Sequence, residues 1–196
     1  MELTRLAIVY LHLIACCAAI GIILTSDLAV VKKLLGRDPG EPDDVGHLYH
    51  LKRVVCMSLA ALWVTGIAIV GMDAWDSGAG YFGNPKIQAK ITMVVLLTIN
   101  GFVLHNAVLP AIEKHGTLAR LPAGSLALAT VAGSVSAVSW FYAAMLGVGR
   151  PLAWKYSLVE LLAAYPAMVA MGAGSMFMLA TWARNRVGED YRMAVA

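Results

Sequence analysis

Apolar residues fall in five long blocks separated by short polar stretches. The blocks cover about residues 6–31, 49–72, 86–110, 125–148 and 157–183. Each is long enough to cross a bilayer, since about 20 helical residues rising roughly 1.5 Å apiece span the ~30 Å hydrocarbon core. The runs are continuous and lack the every-second-residue alternation of barrel strands. The pattern therefore predicts an all-α polytopic membrane helical bundle of about five transmembrane helices, forming one domain over residues 1–196.

Within the blocks, faces differ. On the first helix His12, Ala15, Cys16, Ala19, Ile23, Ser26 and Asp27 share a small, polar side opposite a Leu/Ile/Val side. Small residues let helices approach closely in lipid, so this side is expected to face protein. In the fourth block Ala129, Gly133 and Ala137 recur every four residues and predict a second close-packing edge, for an internal contact or a homo-oligomer. Pro166 predicts a kink in the fifth. The third block, from Pro85 to Pro110, carries Lys90, Asn100 and His105 inside an apolar run. At about 100° per residue, Lys90, Thr98, Gly101 and His105 fall on one broad face. Lys90 and His105 are separated by about 22 Å along such a helix, near opposite membrane surfaces. Ionisable groups at membrane depth face a bundle interior and mark sites.

Composition agrees with the pattern. Of 196 residues, 60% are hydrophobic and 14% charged, and the mean hydropathy of +0.73 is too high for a soluble surface. The net charge of +3 is spread over helix ends, which excludes a nucleic-acid patch. Cys16, Cys17 and Cys56 lie in apolar segments without CxxC spacing and read as packing residues. The first block lacks a cleavage-site pattern and reads as a retained helix.

The polar stretches set an orientation. With the N-terminus outside, ten basic residues lie inside: Lys32, Lys33, Arg37, Lys52, Arg53, Lys114, Arg120, Arg184, Arg186 and Arg192. Only four lie outside: Arg5, Lys86, Arg150 and Lys155. This bias predicts N-out, C-in. It sorts the buried polar groups into two sets. Near the outer surface lie His12, Lys90 and Glu160; near the inner surface lie Asp27, His50, Arg53 and His105.

Each set has two readings. His50 and His105, on antiparallel neighbours, have the chemistry to ligate a b-type haem iron, with Arg53 beside a propionate. Alternatively His50 is an interfacial residue and His105 a packed one. In the outer set, His12 is a metal ligand or base, Lys90 a tunable cation and Glu160 its partner; or Lys90 and Glu160 form an ion pair that holds helices together. Met168, Met171, Met176 and Met178 offer thioethers to monovalent copper, or simply fill apolar space. No P-loop, GxSxG, HExxH or dinucleotide fingerprint occurs.

Two stretches, LHLIACCAAIGIILTSDLAVVKKL and NPKIQAKITMVVLLTINGFVLHNAVLP, resemble helices one and three of the HemJ/CopD-like membrane superfamily. HLYHLKRVVCMSLAALWVTGIAIV resembles its second helix. The resemblance covers about residues 6–112. It matches an aliphatic-His opening at Leu11 and His12, a lysine before an aliphatic run at Lys90, and an arginine at Arg53. It implies a haem b or a copper site with His12 and Lys90 as the functional pair. The expected function is electron handling within the bilayer, as an oxidoreductase acting on a quinone or porphyrin in the bacterial inner membrane. Copper or small-solute transport, and a non-catalytic membrane subunit, are the alternatives.

Overall fold

The computed structural model describes residues 2–36, 39–149 and 154–195. Arg37 and Arg150, counted in the charge balance, lie outside the described residues, as does the side chain of Arg192. Among the described residues the regular structure is all helical, with no strand: α1 (Glu2–Leu35), α2 (Val45–Ser77), α3 (Pro85–Val103), α4 (Leu109–His115), α5 (Ala123–Val148), α6 (Leu158–Leu162) and α7 (Tyr165–Val195). A π-helical turn, Leu104–Val108, joins α3 to α4. Short 3-10 turns cover Ala79–Gly83 and Leu118–Arg120. Among the described residues, five helices are long and apolar enough to cross a membrane: Glu2–Leu35, Val45–Ser77, Pro85–His115, Ala123–Val148 and Leu158–Arg186. The protein is therefore an integral membrane protein of helical type.

The spans run past their apolar blocks because polar caps extend them. The Asp44 side chain accepts from Gly46 N–H at the start of α2. Asn84 does the same for Lys86 N–H at the start of α3, with Pro85 at the first helical position, where its missing N–H costs nothing. Ser157 and Glu160 form a reciprocal capping box at the start of α6. Pro166 has no N–H to give the carbonyl four residues back. The fifth span accordingly loses its regular ladder at residues 163–164, between α6 and α7, with Ala163 still in helical geometry, next to the residue where a kink was expected.

Helix α1 packs along α2, and α5 lies between α3 and α7. Ala15, Ala19 and Ile23 of the small α1 face are buried with Leu62, Leu97 and Trp140 in a central cluster. Two further clusters flank it, one around Leu34, Leu121 and Leu126, the other around Met93, Tyr142 and Leu146. Helices α5 and α7 approach closely at Gly172, where a Cβ would stand 3.1 Å from Ser134 Oγ and 3.3 Å from Ser134 Cβ. Ser134 is buried, so it is Ser134, one position from the anticipated Gly133, that meets α7.

The two ends are tied differently. Between the N-terminus of α1 and the end of α2, Arg5 Nε and Nη2 donate to Asp73 at 2.9 and 3.3 Å, and Tyr81 Oη donates to Asp73 Oδ2 at 2.9 Å. Burial, followed by the hydrogen bond to Asp73, pushes the Tyr81 phenol up to about 12. At the other end Lys33 pairs with Asp43, and Asp43 N–H donates to Gly116 O at 2.6 Å. Gly116 has φ 83°, a conformation that a side chain disfavours, and it turns the chain after α4.

Candidate functional site in the cleft between α2 and α3

Helices α2 and α3 make little backbone contact. A cleft of about 450 Å³ separates them, within the range of small-molecule sites. Its floor comes from α1 (Ile23, Asp27) and α5 (Gly133, Ser136, Trp140). Its walls are Lys52, Val55, Leu59 and Trp63 on one side and Leu97, Gly101 and Val108 on the other. Ala60 and Phe102 at its rim are exposed, so the cleft opens sideways, in the direction that lipid would occupy.

Two side-chain bridges cross it. Trp63 Nε1 donates to Thr98 Oγ1 at 3.0 Å. The Thr98 hydroxyl spends its own proton on Val94 O at 2.8 Å, which leaves its oxygen as the acceptor. Seven residues before Trp63 on α2 and seven after Thr98 on α3, Cys56 Sγ stands 3.6 Å from His105 Nε2. Seven residues are roughly 10 Å of helix, so the bridges are about two turns apart.

The state of His105 follows from its contacts. Its Nδ1 lies 2.5 Å from Gly101 O. A carbonyl only accepts, so Nδ1 carries a proton. In the neutral ring Nε2 then holds the lone pair and faces the Cys56 thiol, which donates to it. His105 sits within the π turn, where the ladder widens and Leu109 N–H reaches Leu104 O. Such turns are frequent at functional positions.

The other expected site residues are placed elsewhere. His50 and Arg53 are exposed on α2 and do not line the cleft; Lys52 lines it, with its Nζ 5.8 Å from the Tyr49 ring centroid. The anticipated pairing of His50 with His105 is therefore not formed, and Cys56 occupies that position. His12 is half-buried between α1 and α2. Its Nδ1 lies 2.7 Å from Thr65 Oγ1, whose own proton goes to Ala61 O at 2.6 Å, so His12 is the donor. Lys90 is half-buried, with His12, Lys86 and Asp73 as its charged neighbours. Glu160 is exposed, and its carboxylate accepts from Ser157 N–H and Oγ at 2.8 Å each. The structure does not bring Glu160 together with Lys90; the acid is used at a helix start. Met168, Met171 and Met178 are exposed on α7 and do not line the cleft. Asp27 does line it.

Sequence reasoning missed Cys56, Trp63 and Lys52 as cleft residues. A signal was available: Cys56 to Trp63 and Thr98 to His105 have the same spacing of seven, as two antiparallel helices need if they meet twice. Among the described residues no three His, Cys, Asp or Glu side chains converge to hold a metal ion. The cleft offers two soft-to-borderline donors, the thiol and the imidazole, among apolar walls. No family model matches the chain, and neither a curated protein nor a solved structure is similar to it.

Proposed function

We propose that this protein is a haem-b redox protein of the bilayer, with the macrocycle held in the α2–α3 cleft and His105 as an axial ligand. The observation that carries the reading is the His105 imidazole, whose Nδ1 is held by Gly101 O while its Nε2 faces Cys56 in an apolar, laterally open cleft. A haem so held would pass single electrons in the membrane, with a quinone or porphyrin as the partner at the open edge. The chain's own part is physical. Leu59, Val55 and Leu97 line the cleft and would keep water from a ring held there. The Gly101 carbonyl orients the imidazole and raises its basicity as a ligand. Lys52, which lines the cleft where the exposed Arg53 does not, would be the cation available to an acidic ring substituent.

The charge balance of the loops supports N-out, C-in, which sets His105 toward the cytoplasmic side of a bacterial plasma membrane. The test is an absorption spectrum of the purified protein, oxidised and reduced, with metal analysis. A Soret band that disappears in His105→Ala, in a variant that still folds, is the expected result. A colourless wild-type protein, made with ample haem, overturns the proposal.

A second reading, monovalent copper handling, draws on the same pair, because a thiol beside an imidazole is a soft donor set. Metal analysis separates the two: copper without haem favours this reading.

A further inference from the structure

Basic groups gather at the end of the bundle where α1 begins and α2 ends, away from the cleft. Lys86 and Lys90 are four residues apart on α3; Lys86 is buried and Lys90 half-buried. Side chains so spaced stand about 5–6 Å from each other at Cβ, so two ammonium groups can reach one small ion. Lys90 also interacts electrostatically with His12 of α1 and Asp73 of α2. We propose that Lys90, with Lys86 beside it, binds a phosphate oxyanion between α1, α2 and α3, supplied by a phospholipid headgroup or by free phosphate. The site is separate from the cleft and independent of the haem reading.

Three observations carry it. First, the acid whose charge acts on Lys90 is already engaged. Asp73 Oδ1 accepts from Arg5 Nε at 2.9 Å, and its Oδ2 accepts from Arg5 Nη2 at 3.3 Å and from Tyr81 Oη at 2.9 Å. Asp76 is exposed and acts on Arg5. Among the described residues Lys90 donates no hydrogen bond, so its ammonium lacks an acceptor. Second, His12 brings no negative charge to the lysine. Its Nδ1 donates to Thr65 Oγ1 at 2.7 Å, and its ring lies against α2 at Gly66, where a Cβ would stand 3.6 Å from His12 Cε1. An imidazole is neutral or positive, and when protonated it adds to the cationic side. Third, the depth suits the ligand. Lys90 is five residues into α3, about 8 Å along the axis from Pro85. A lysine stem at that depth carries its ammonium to the level of lipid phosphates. An oxyanion there relieves the repulsion between the two lysines and accepts charge-assisted hydrogen bonds.

The experiment uses the full chain in a phosphate-free, sugar-headed detergent. The thermal midpoint is followed as phosphatidylglycerol or inorganic phosphate is added to the wild type, Lys90→Gln and Asp73→Asn. The wild-type midpoint is expected to rise and saturate. Lys90→Gln should weaken the apparent affinity by about tenfold or more, the loss of one charge-assisted hydrogen bond. Asp73→Asn removes the competing acid and should tighten binding several-fold. Opposite signs at the two positions are what a purely structural role does not produce. Lys90→Arg keeps the charge and should bind as the wild type does. A response to the lipid alone assigns the headgroup as the ligand; the same ranking of variants with inorganic phosphate assigns the free ion. No saturable rise with either probe overturns the proposal, as do equal affinities in the wild type, Lys90→Gln and Asp73→Asn. Should Lys90→Gln fail to fold, Asp73→Asn decides alone, and an affinity unchanged from the wild type overturns the site.

Discussion

Trp63 and Thr98 hold one end of the cleft: the indole N–H of the first donates to the hydroxyl of the second at 3.0 Å, across two helices whose backbones make little contact. Thr98→Val keeps the shape and removes the acceptor, leaving the indole N–H without its partner. Hydrogen bonds between membrane helices are worth about 0.6 kcal/mol on average and up to ~1.7. Thr98→Val is expected to lower stability within that range, measured by denaturant titration in micelles. It should also shift tryptophan emission to the red as the cleft widens. An unchanged emission and midpoint would show that the bond does not hold the helices.

The Arg5–Asp73–Tyr81 cluster makes a prediction about pH. The phenol of Tyr81 stands near 12 against an ordinary value of 10.0, so the folded state favours its protonated form. The sign follows by linkage: the contribution is fully present below pH 10 and is lost as pH rises through about 12. Asp73→Asn is expected to lower the Tyr81 midpoint toward 10 without reaching it, because burial, the larger cause, remains. Ultraviolet titration of the phenolate, with Tyr81→Phe to assign the signal, checks this. A midpoint unmoved by Asp73→Asn would rule out the hydrogen bond as a cause.

The approach of α5 to α7 depends on the absence of a side chain at residue 172. A Cβ there would sit 3.1 Å from Ser134 Oγ, tighter than ordinary contact. Gly172→Val, with a branched side chain, is expected to destabilise by about 1–3 kcal/mol through overpacking. Ser134→Gly removes the obstructing atoms, so the double variant should lose less than the sum of the two single changes. A double-mutant cycle measures the difference, and additive losses would mean that residues 134 and 172 do not meet.

What could be read from sequence, and what could not, divides along a physical line. The five spans were legible because lipid imposes a minimum apolar length on every one of them. The inward face of α1 was legible at Ala15, Ala19 and Ile23, since small residues mark close helix contacts. The break near Pro166 followed from a missing N–H. The site was harder, because it depends on the rotation of one helix against another. His50 precedes Cys56 by six residues, about 240° around a helix, so the two cannot face His105 together. Depth alone had made His50 and His105 seem a pair. Glu160 misled for another reason: an acid three residues after Ser157 serves as a cap, and that local role consumed the group that had been assigned to Lys90.

The sideways opening of the cleft has a consequence for supply. Whatever reaches His105 by way of Ala60 and Phe102 arrives dissolved in oil rather than in water. The occupancy of that imidazole is then governed by how strongly a molecule partitions into the membrane, and a compound scarce in the aqueous phase can still saturate it.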